Sequence, residues 1–249
     1  GDQSIPETYF HPAELYRAMS AGVKVSTSQA SVFERHQCYA SELARFEKVL
    51  YLCVGSVFTG NYNVAMEWKK KHDPDNRLTV IDTGAASGRL GVMVLATQRF
   101  LLRTKDMDAA IAFARKAAER CEEYVFLEKL QYLAAGGRLS KTGAFFGDML
   151  KMKPVISPQP EGAKKMGVVR NRADQIRMAL DKLAAVLAPD SSAFIMLEYS
   201  DNIEQVSEFR HQVQNLYPKA EIILQPLSLT SGAHMGPGTW GIAFLKREE

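Results

Sequence analysis

Long apolar runs and cysteines are both scarce in this sequence. No apolar run reaches the roughly 18 residues that a membrane span requires, and residues 1–25 lack the basic segment and apolar core of a signal peptide. The three cysteines, Cys38, Cys53 and Cys121, are far apart and sit among apolar or helical residues. This distribution is typical of reduced thiols rather than of a disulfide framework or a metal site. We therefore expect a cytoplasmic protein with no integral membrane segment and no metal.

An excess of one charge is missing as well. The 31 Lys and Arg residues oppose 28 Asp and Glu residues, and the resulting net charge of +3 is spread along the chain. Nucleic-acid-binding proteins concentrate basic residues, so no nucleic-acid partner is expected. The sequence also contains neither a GxxxxGK[ST] loop nor a GxGxxG motif after a strand. We therefore expect no nucleotide site and no cofactor.

What the chain does contain is enough apolar residues for a large core. Its 249 residues are 46% hydrophobic, close to the length at which one core divides into two domains. Short apolar runs at 49–54 and 78–82 are each followed by a helical stretch, and another run occupies 124–127. Alternating strands and helices predict an α/β fold with a doubly wound parallel sheet over residues 1–145.

Residues 146–249 have a different pattern. Three prolines fall within 153–162, a hairpin is expected near Glu161 and Gly162, and later strands are predicted at 193–199, 220–227 and 240–245. Intervening helices are predicted at 172–187 and 203–216. This half is therefore predicted to be a smaller α/β domain with a mixed sheet.

A paired-glycine turn precedes a single arginine in the middle of the chain. Gly136 and Gly137 permit a close reversal that directs Arg138 away from the preceding helical run. Ser140 and Thr142 can cap the next helix, whose positive dipole end favours an anion. Two interpretations remain open from this stretch alone: an ordinary helix terminus with a surface arginine, or a cation aimed at a ligand.

Hydroxyl groups and one histidine provide further candidates. Several hydroxyls lie between Val25 and Ser31, of which Ser31 is expected only to cap the next helix. Ser56 and Thr59 follow the first strand, at the sheet edge where open α/β folds bind ligands. His234 lies in a glycine-rich loop at 229–241. A lone histidine is commonly structural, but these glycines would let the backbone approach another group closely.

Taken together, these motifs resemble the DegV family in order and spacing over nearly the whole chain. The segments that carry the resemblance are Thr27-Ser28-Gln29, Gly55 to Tyr62, Val80-Ile81-Asp82, Gly136-Gly137-Arg138-Leu139-Ser140, Lys153-Pro154 and Gly232 to Gly238. The resemblance implies a bacterial fatty-acid-binding protein with two α/β domains that hold one acyl chain between them. It also implies that the protein is no enzyme, but presents the acid to a separate fatty-acid kinase for acyl-phosphate formation in phospholipid synthesis.

The resemblance also assigns the polar end of the site. It makes Thr27 and Ser56 hydrogen-bond partners of the carboxylate, completed by Arg138 and His234, and a protonated His234 would add a second cation. Other positions fall on or beside family motifs: Ser28, Thr59 and Gly60 as further ligand-binding residues, and Asp82, Ser87 and Lys153 with less direct roles. Asp82 is expected to organise loops rather than to contact an anion.

The chain departs from the family in two respects. It begins near the segment before Thr27 and lacks the usual N-terminal strand with its aspartate-serine turn, so either another chain supplies that strand or this is a fragment. The family's SSxLSGTY-like loop is also altered, with Gly55, Phe58 and Asn61 in place of serine, leucine and threonine. The hydroxyls of Ser56 and Thr59 are retained, whereas Phe58 would narrow an acyl tunnel.

Two alternative functions remain open at this point. A phosphoryl carrier would use His234 as an exposed acceptor and would need no tunnel. A hydrolase would combine Ser56 with His234 and Asp82, and would need these groups within hydrogen-bond reach. Arg170 and Arg172 are candidates for contact with a kinase, although a solvated helix start is the favoured account of both.

Overall fold

The computed structural model describes residues 4–138 and 152–246. Within these ranges the helices are α1 Pro12–Ser20, α2 Val32–Arg45, α3 Asn61–His72, α4 Ser87–Thr104, α5 Met107–Arg120, α6 Leu130–Ala135, α7 Arg172–Ala184, α8 Ile203–Leu216 and α9 Leu229–Met235. The strands are β1 Val49–Cys53, β2 Leu78–Asp82, β3 Glu122–Phe126, β4 Lys153–Gln159, β5 Gly162–Val169, β6 Ala193–Tyr199, β7 Glu221–Pro226 and β8 Trp240–Lys246. A short 3-10 helix, Glu7–Tyr9, precedes α1.

The strands form two sheets. In the first, β1 and β2 are parallel, with Val49 opposite Leu78 and Cys53 opposite Asp82. The second has six strands in the order β5-β4-β3-β8-β6-β7. Only β6 and β7 are parallel in it, and the remaining pairs are antiparallel. The predicted α/β class, with one parallel and one mixed sheet, is confirmed.

The mixed sheet carries a buried apolar layer on each face. Alternate residues of a strand point to opposite faces, so Ile195 and Leu197 join a cluster with α7 and α8, which includes Phe209 and Trp240. Phe194 and Met196 belong instead to the cluster formed with α4 and α5. Helices on both faces explain why β6 is apolar along nearly its whole length.

The placement of β3 in the parallel sheet is wrong. This strand pairs with β4 and β8, and α4 packs on β6 and β8 of the same mixed sheet. The mixed sheet is accordingly the larger one among the described residues. Sequence periodicity identifies a buried strand but not its neighbour, because both sheets offer a strand the same apolar surroundings. The domain boundary at 145/146 falls between the described ranges and stays a prediction.

Several helix starts follow from their local sequence. Ser31 forms a complete capping box with Glu34 at the start of α2, as its predicted capping role requires. Asp106 and Asn171 cap α5 and α7 with a single hydrogen bond each, accepted by the side-chain oxygen. The expected turn between β4 and β5 is also present, at Pro160 and Glu161, and Gly162 begins β5.

The segment predicted as a loop around His234 is in fact the helix α9. Ser228 caps it, its hydroxyl accepting a hydrogen bond from the Ser231 amide at 3.1 Å. The Glu7 carboxylate, remote in sequence, accepts hydrogen bonds from the Leu229 amide at 2.6 Å and from the Thr230 hydroxyl at 2.7 Å. A distant carboxylate thus stabilises a glycine-containing helix that local propensity disfavours.

All three cysteines are free thiols, Cys53 and Cys121 buried and Cys38 exposed. Among the described residues, no helix combines the length and the hydropathy needed to cross a bilayer.

Candidate binding site

A hydrogen bond between residues 207 positions apart defines the candidate site. Thr27 Oγ1 and His234 Nε2 are 2.8 Å apart. Thr27 lies in the segment before α2, which has no regular secondary structure, whereas His234 lies in the last turn of α9. His234 is only 9% exposed, and its Nδ1 is buried without a hydrogen-bond partner among the described residues. The fold therefore joins two motifs that lie far apart in the sequence.

The packing of α9 depends on closely approaching aromatic rings. A Cβ at Gly232 would lie 2.3 Å from the Tyr16 hydroxyl, and one at Gly236 would lie 2.1 Å from the Tyr132 ring. Tyr16 itself is buried on α1, and burial is the main cause that raises its pKa to about 12. The prediction that glycines here permit a close approach is confirmed, and the approaching groups are tyrosines that fix α9.

The paired glycines of the central motif serve different purposes. Gly137 has φ +66 and open space around its Cα, so it provides the left-handed turn. Gly136 has ordinary helical angles, but a Cβ there would lie 2.2 Å from His234 Nδ1. Arg138 Nη1 then donates a hydrogen bond to the Gly136 carbonyl at 2.7 Å. Ser140 and Thr142, the predicted caps of the following helix, lie outside the described residues.

The surroundings of His234 favour its neutral form. Burial lowers its pKa to about 4, and the positive charge of Arg138 acts in the same direction. A bound carboxylate would act in the opposite direction, so the contribution of a protonated His234 as a second cation stays a prediction. Sequence reasoning gave no sign of the lowered pKa, because burial and the Arg138 charge both depend on the tertiary structure.

The loop after β1 is fixed by hydrogen bonds to residues at and just after the end of β2. Asp82 Oδ1 accepts hydrogen bonds from the amides of Ser56 at 3.0 Å and Gly84 at 3.2 Å. The predicted loop-organising role of Asp82 is confirmed. The Gly55 amide also donates to the Ala85 carbonyl at 2.7 Å. Ser56 is itself exposed, with its backbone fixed by these contacts.

Thr59 and Gly60 lie where this loop enters α3. Thr59 Oγ1 accepts a hydrogen bond from the Asn61 amide at 3.3 Å, and Gly60 is the residue before the helix. The side chain of Gln29 packs against Gly60, with its Nε2 at 3.3 Å from the position of a Cβ. Ser28 is exposed beside Thr27. Gln29 and Gly60 thus place the segment 27–29 in contact with the loop.

The side chains of Ser87 and Lys153 contact residues outside the candidate site. Lys153 Nζ forms an ion pair with Glu128. The Ser87 hydroxyl donates to Glu123 Oε1 at 2.5 Å, at the start of α4. Both side chains therefore already have partners within the fold.

Glu123 belongs to a buried carboxyl pair that sequence reasoning missed. Its oxygens also accept hydrogen bonds from the Gly88 amide at 3.2 Å and the Arg89 amide at 2.9 Å. Glu198 lies beside it, and Glu198 Oε2 has no partner among the described residues. Burial, followed by the negative charge of Glu123, raises the pKa of Glu198 well above its ordinary value. Burial raises the pKa of Glu123 as well, so the pair as a whole favours retaining a proton.

The geometry weighs against both alternative functions. His234 Nε2 bonds to Thr27, and Nδ1 is unpartnered in the described part of the chain, so the imidazole contacts neither Ser56 nor Asp82 by a hydrogen bond. A hydrolytic triad requires those bonds. A phosphoryl carrier requires an exposed imidazole, whereas His234 is buried.

Comparison with known proteins now bears on these observations. A family model described as "Uncharacterised protein, DegV family" matches residues 1–247. The chain belongs to the DegV family. A DegV domain-containing protein of Clostridium perfringens is 24% identical over 238 residues, which cover 94% of this chain and 82% of the relative. A Thermotoga maritima relative named fatty acid-binding protein is 27% identical over 242 residues, covering 93% and 82%.

Solved structures agree with this assignment. A DegV family protein from Thermus thermophilus, whose solved structure concerns fatty acid binding, is 25% identical with a TM-score of 0.87, and the match covers 96% of this chain and 85% of that one. The fold is also shared by the Streptococcus pneumoniae protein named Fatty Acid Kinase (Fak) B3, loaded with linoleic acid. That match has 16% identity and a TM-score of 0.81, covering 96% and 85%.

Proposed function

We propose that this DegV family protein binds a long-chain fatty acid, with the carboxylate held by Thr27, Ser56, Arg138 and His234. The observation that carries this proposal is the Thr27–His234 hydrogen bond beside Arg138. It brings a hydroxyl, an imidazole and a cation from three separate segments to one place. The names of the T. maritima and T. thermophilus proteins, both tied to fatty acid binding, support the same ligand class.

The neutral imidazole gives Thr27 a defined role. With its proton on Nε2, His234 donates to Thr27 Oγ1 and leaves only a lone pair on the unpartnered Nδ1, which is less costly than an orphaned N–H. The Thr27 hydroxyl proton is then free to donate to a carboxylate. Arg138 supplies the compensating charge, since a buried carboxylate without a cation would be strongly disfavoured.

Affinity and orientation come from different parts of the ligand. Burying about twelve methylenes at ~0.8 kcal/mol each contributes roughly 10 kcal/mol before entropy costs, while one hydrogen bond to a charged group contributes about 1.5–3 kcal/mol. The predicted tunnel for this tail stays a prediction. Two surface grooves of about 610 and 660 Å³ lie between β5 and α7 and at the start of α5, and neither is lined by a residue of the candidate site.

The proposal extends to a separate fatty-acid kinase as partner. The S. pneumoniae protein carries the name of such a kinase, and the T. maritima relative is named a binding protein rather than an enzyme. In the proposed site, the exposed Ser56 would lie on the side from which a phosphoryl group reaches the carboxylate. The three free thiols are consistent with a cytoplasmic setting.

Native mass spectrometry of the isolated protein tests the ligand class, because a co-purified fatty acid would appear as a defined mass increment. For the site, Arg138→Ala should weaken retention of labelled palmitate or oleate, and Arg45→Gln on the exposed side of α2 provides a control. Equal retention by Arg138→Ala and parent would contradict the proposed role. With a kinase present, His234→Ala should reduce acyl-phosphate formation, and unchanged turnover would remove His234 from the presentation step.

A further inference from the structure

One arginine joins the two segments that carry the proposed hydroxyl ligands. Arg35 Nη1, from the first turn of α2, donates to Gln29 Oε1 at 2.7 Å and to Asn61 Oδ1 at 3.0 Å. Gln29 is two residues from Thr27, and Asn61 ends the loop that contains Ser56. A single guanidinium nitrogen therefore bridges the segment 27–29 and the loop 55–61.

Contacts at both ends of this bridge restrict its movement. The Gln29 amide packs against Gly60, where a Cβ would lie 3.3 Å from Nε2. The backbone amide of Asn61 donates a hydrogen bond to the Thr59 hydroxyl, and this bond fixes the end of the loop. Asn61 stands where the family pattern has threonine, and its amide oxygen is the acceptor that receives Arg35. The asparagine that departs from the family pattern is therefore the residue that binds Arg35.

The guanidinium of Arg35 also has a buried nitrogen, which a fully solvated arginine would not have. Its Nε is buried without a hydrogen-bond partner among the described residues. A covered, unpartnered N–H is unfavourable, so the two Nη1 bonds must compensate for it. Arg45, at the other end of the same helix, instead forms an exposed ion pair with Glu42.

We propose that Arg35 is a positioning residue that sets the distance between Thr27 and Ser56 for carboxylate recognition. This inference rests on the proposed fatty-acid function. Hydrogen bonds to a carboxylate weaken steeply when donors move out of line, whereas burial of an acyl tail is not directional. Loss of Arg35 should therefore reduce the affinity for the acid and leave the affinity for a neutral analogue of the same chain length nearly unchanged.

The test compares palmitic acid with hexadecanol, each displacing a fluorescent apolar probe from the parent, Arg35→Gln and Arg45→Gln. Arg35→Gln should weaken acid binding by roughly tenfold, the equivalent of one hydrogen bond to a charged group, and change alcohol binding by less than about twofold. Arg45→Gln should match the parent for both ligands. Arg35→Lys, whose ammonium can still donate to both oxygens, should recover part of the preference for the acid.

A second variant guards against misfolding of Arg35→Gln. Gln29→Ala removes one acceptor of Arg35 from an exposed position and should also lower the ratio of acid affinity to alcohol affinity. In the double variant, the second substitution should lower this ratio by less than it does alone, because both changes remove the same interaction. An unchanged ratio, or equal losses for acid and alcohol, would overturn the positioning role. A parent protein that binds neither ligand would instead overturn the proposed function itself.

Discussion

Gly136→Ala is the most direct perturbation of the candidate site. The new methyl carbon would lie 2.2 Å from His234 Nδ1. Since nonbonded heavy atoms pack at about 3.5–4.0 Å, the imidazole would have to move by roughly 1 Å or more. Its other ring nitrogen is held at 2.8 Å from Thr27 Oγ1, so a displacement of this size breaks that hydrogen bond.

The expected loss follows from that bond. A buried hydrogen bond that leaves its partner unsatisfied costs about 1–2 kcal/mol, which corresponds to a roughly 5- to 30-fold weaker affinity for palmitate. The pKa of His234 should also rise from about 4 toward its ordinary value, because displacement from the buried position removes the main cause of its depression.

Gly137→Ala is the matched control. Its Cα faces open space, so no clash with His234 arises, but the φ of +66 disfavours any side chain. This variant should lose about 1–2 kcal/mol of unfolding free energy and keep both the His234 pKa and the ligand affinity. Both glycines lie in the same turn, yet the two substitutions are expected to have separable effects.

The assays are NMR titration of the His234 ring, urea unfolding and palmitate binding. Because the folded pKa lies below the unfolded value near 6.5, the unfolded chain binds the proton first, and parent stability falls as the pH drops from about 6.5 toward 4. In Gly136→Ala this loss should shrink. Equal effects of Gly136→Ala and Gly137→Ala on the His234 pKa and on binding would refute the reasoning.

Two further substitutions test other buried or capping carboxylates. Glu198→Gln removes one titratable member of the Glu123–Glu198 pair. Because the pKa of Glu198 is raised in the folded protein, the stability of the parent falls as the pH rises above about 4.5. The stability of the variant relative to the parent should therefore increase by up to about 1.4 kcal/mol per pH unit until the pH exceeds that raised pKa. A pH-independent difference in urea unfolding would exclude a shared proton. Glu7→Gln should lower stability by roughly 0.5–1 kcal/mol through weaker capping of α9 at Leu229; if high salt does not reduce that loss, the charge is not its cause.

Much of this protein could be predicted from local patterns. The helix starting at Val32, the strand at Val49–Cys53 and the cap at Ser31 each depend on residues within one or two turns, where periodicity and side-chain chemistry act directly. The ordered motifs were also sufficient to indicate the DegV family, which the family model confirms.

Other features depend on contacts between segments far apart in the chain. The partners of β3 were predicted wrongly, because apolar character indicates burial but not which strands lie on either side. The helix α9 was missed, because the carboxylate that caps it comes from Glu7, 222 residues away from Leu229. Arg35 gave no signal in the sequence, since its two acceptors lie in different motifs.

The sequence by itself determined that a glycine pair, an arginine, two hydroxyl-bearing motifs and a histidine would be present. Only the tertiary structure decided their chemistry. Packing against Gly136 and burial beside Arg138 favour the neutral form of His234, and the Thr27 hydroxyl is its hydrogen-bond partner. The physical reason is that protonation and hydrogen-bond direction depend on burial and on the nearest charge, and both are set by residues that meet only after folding.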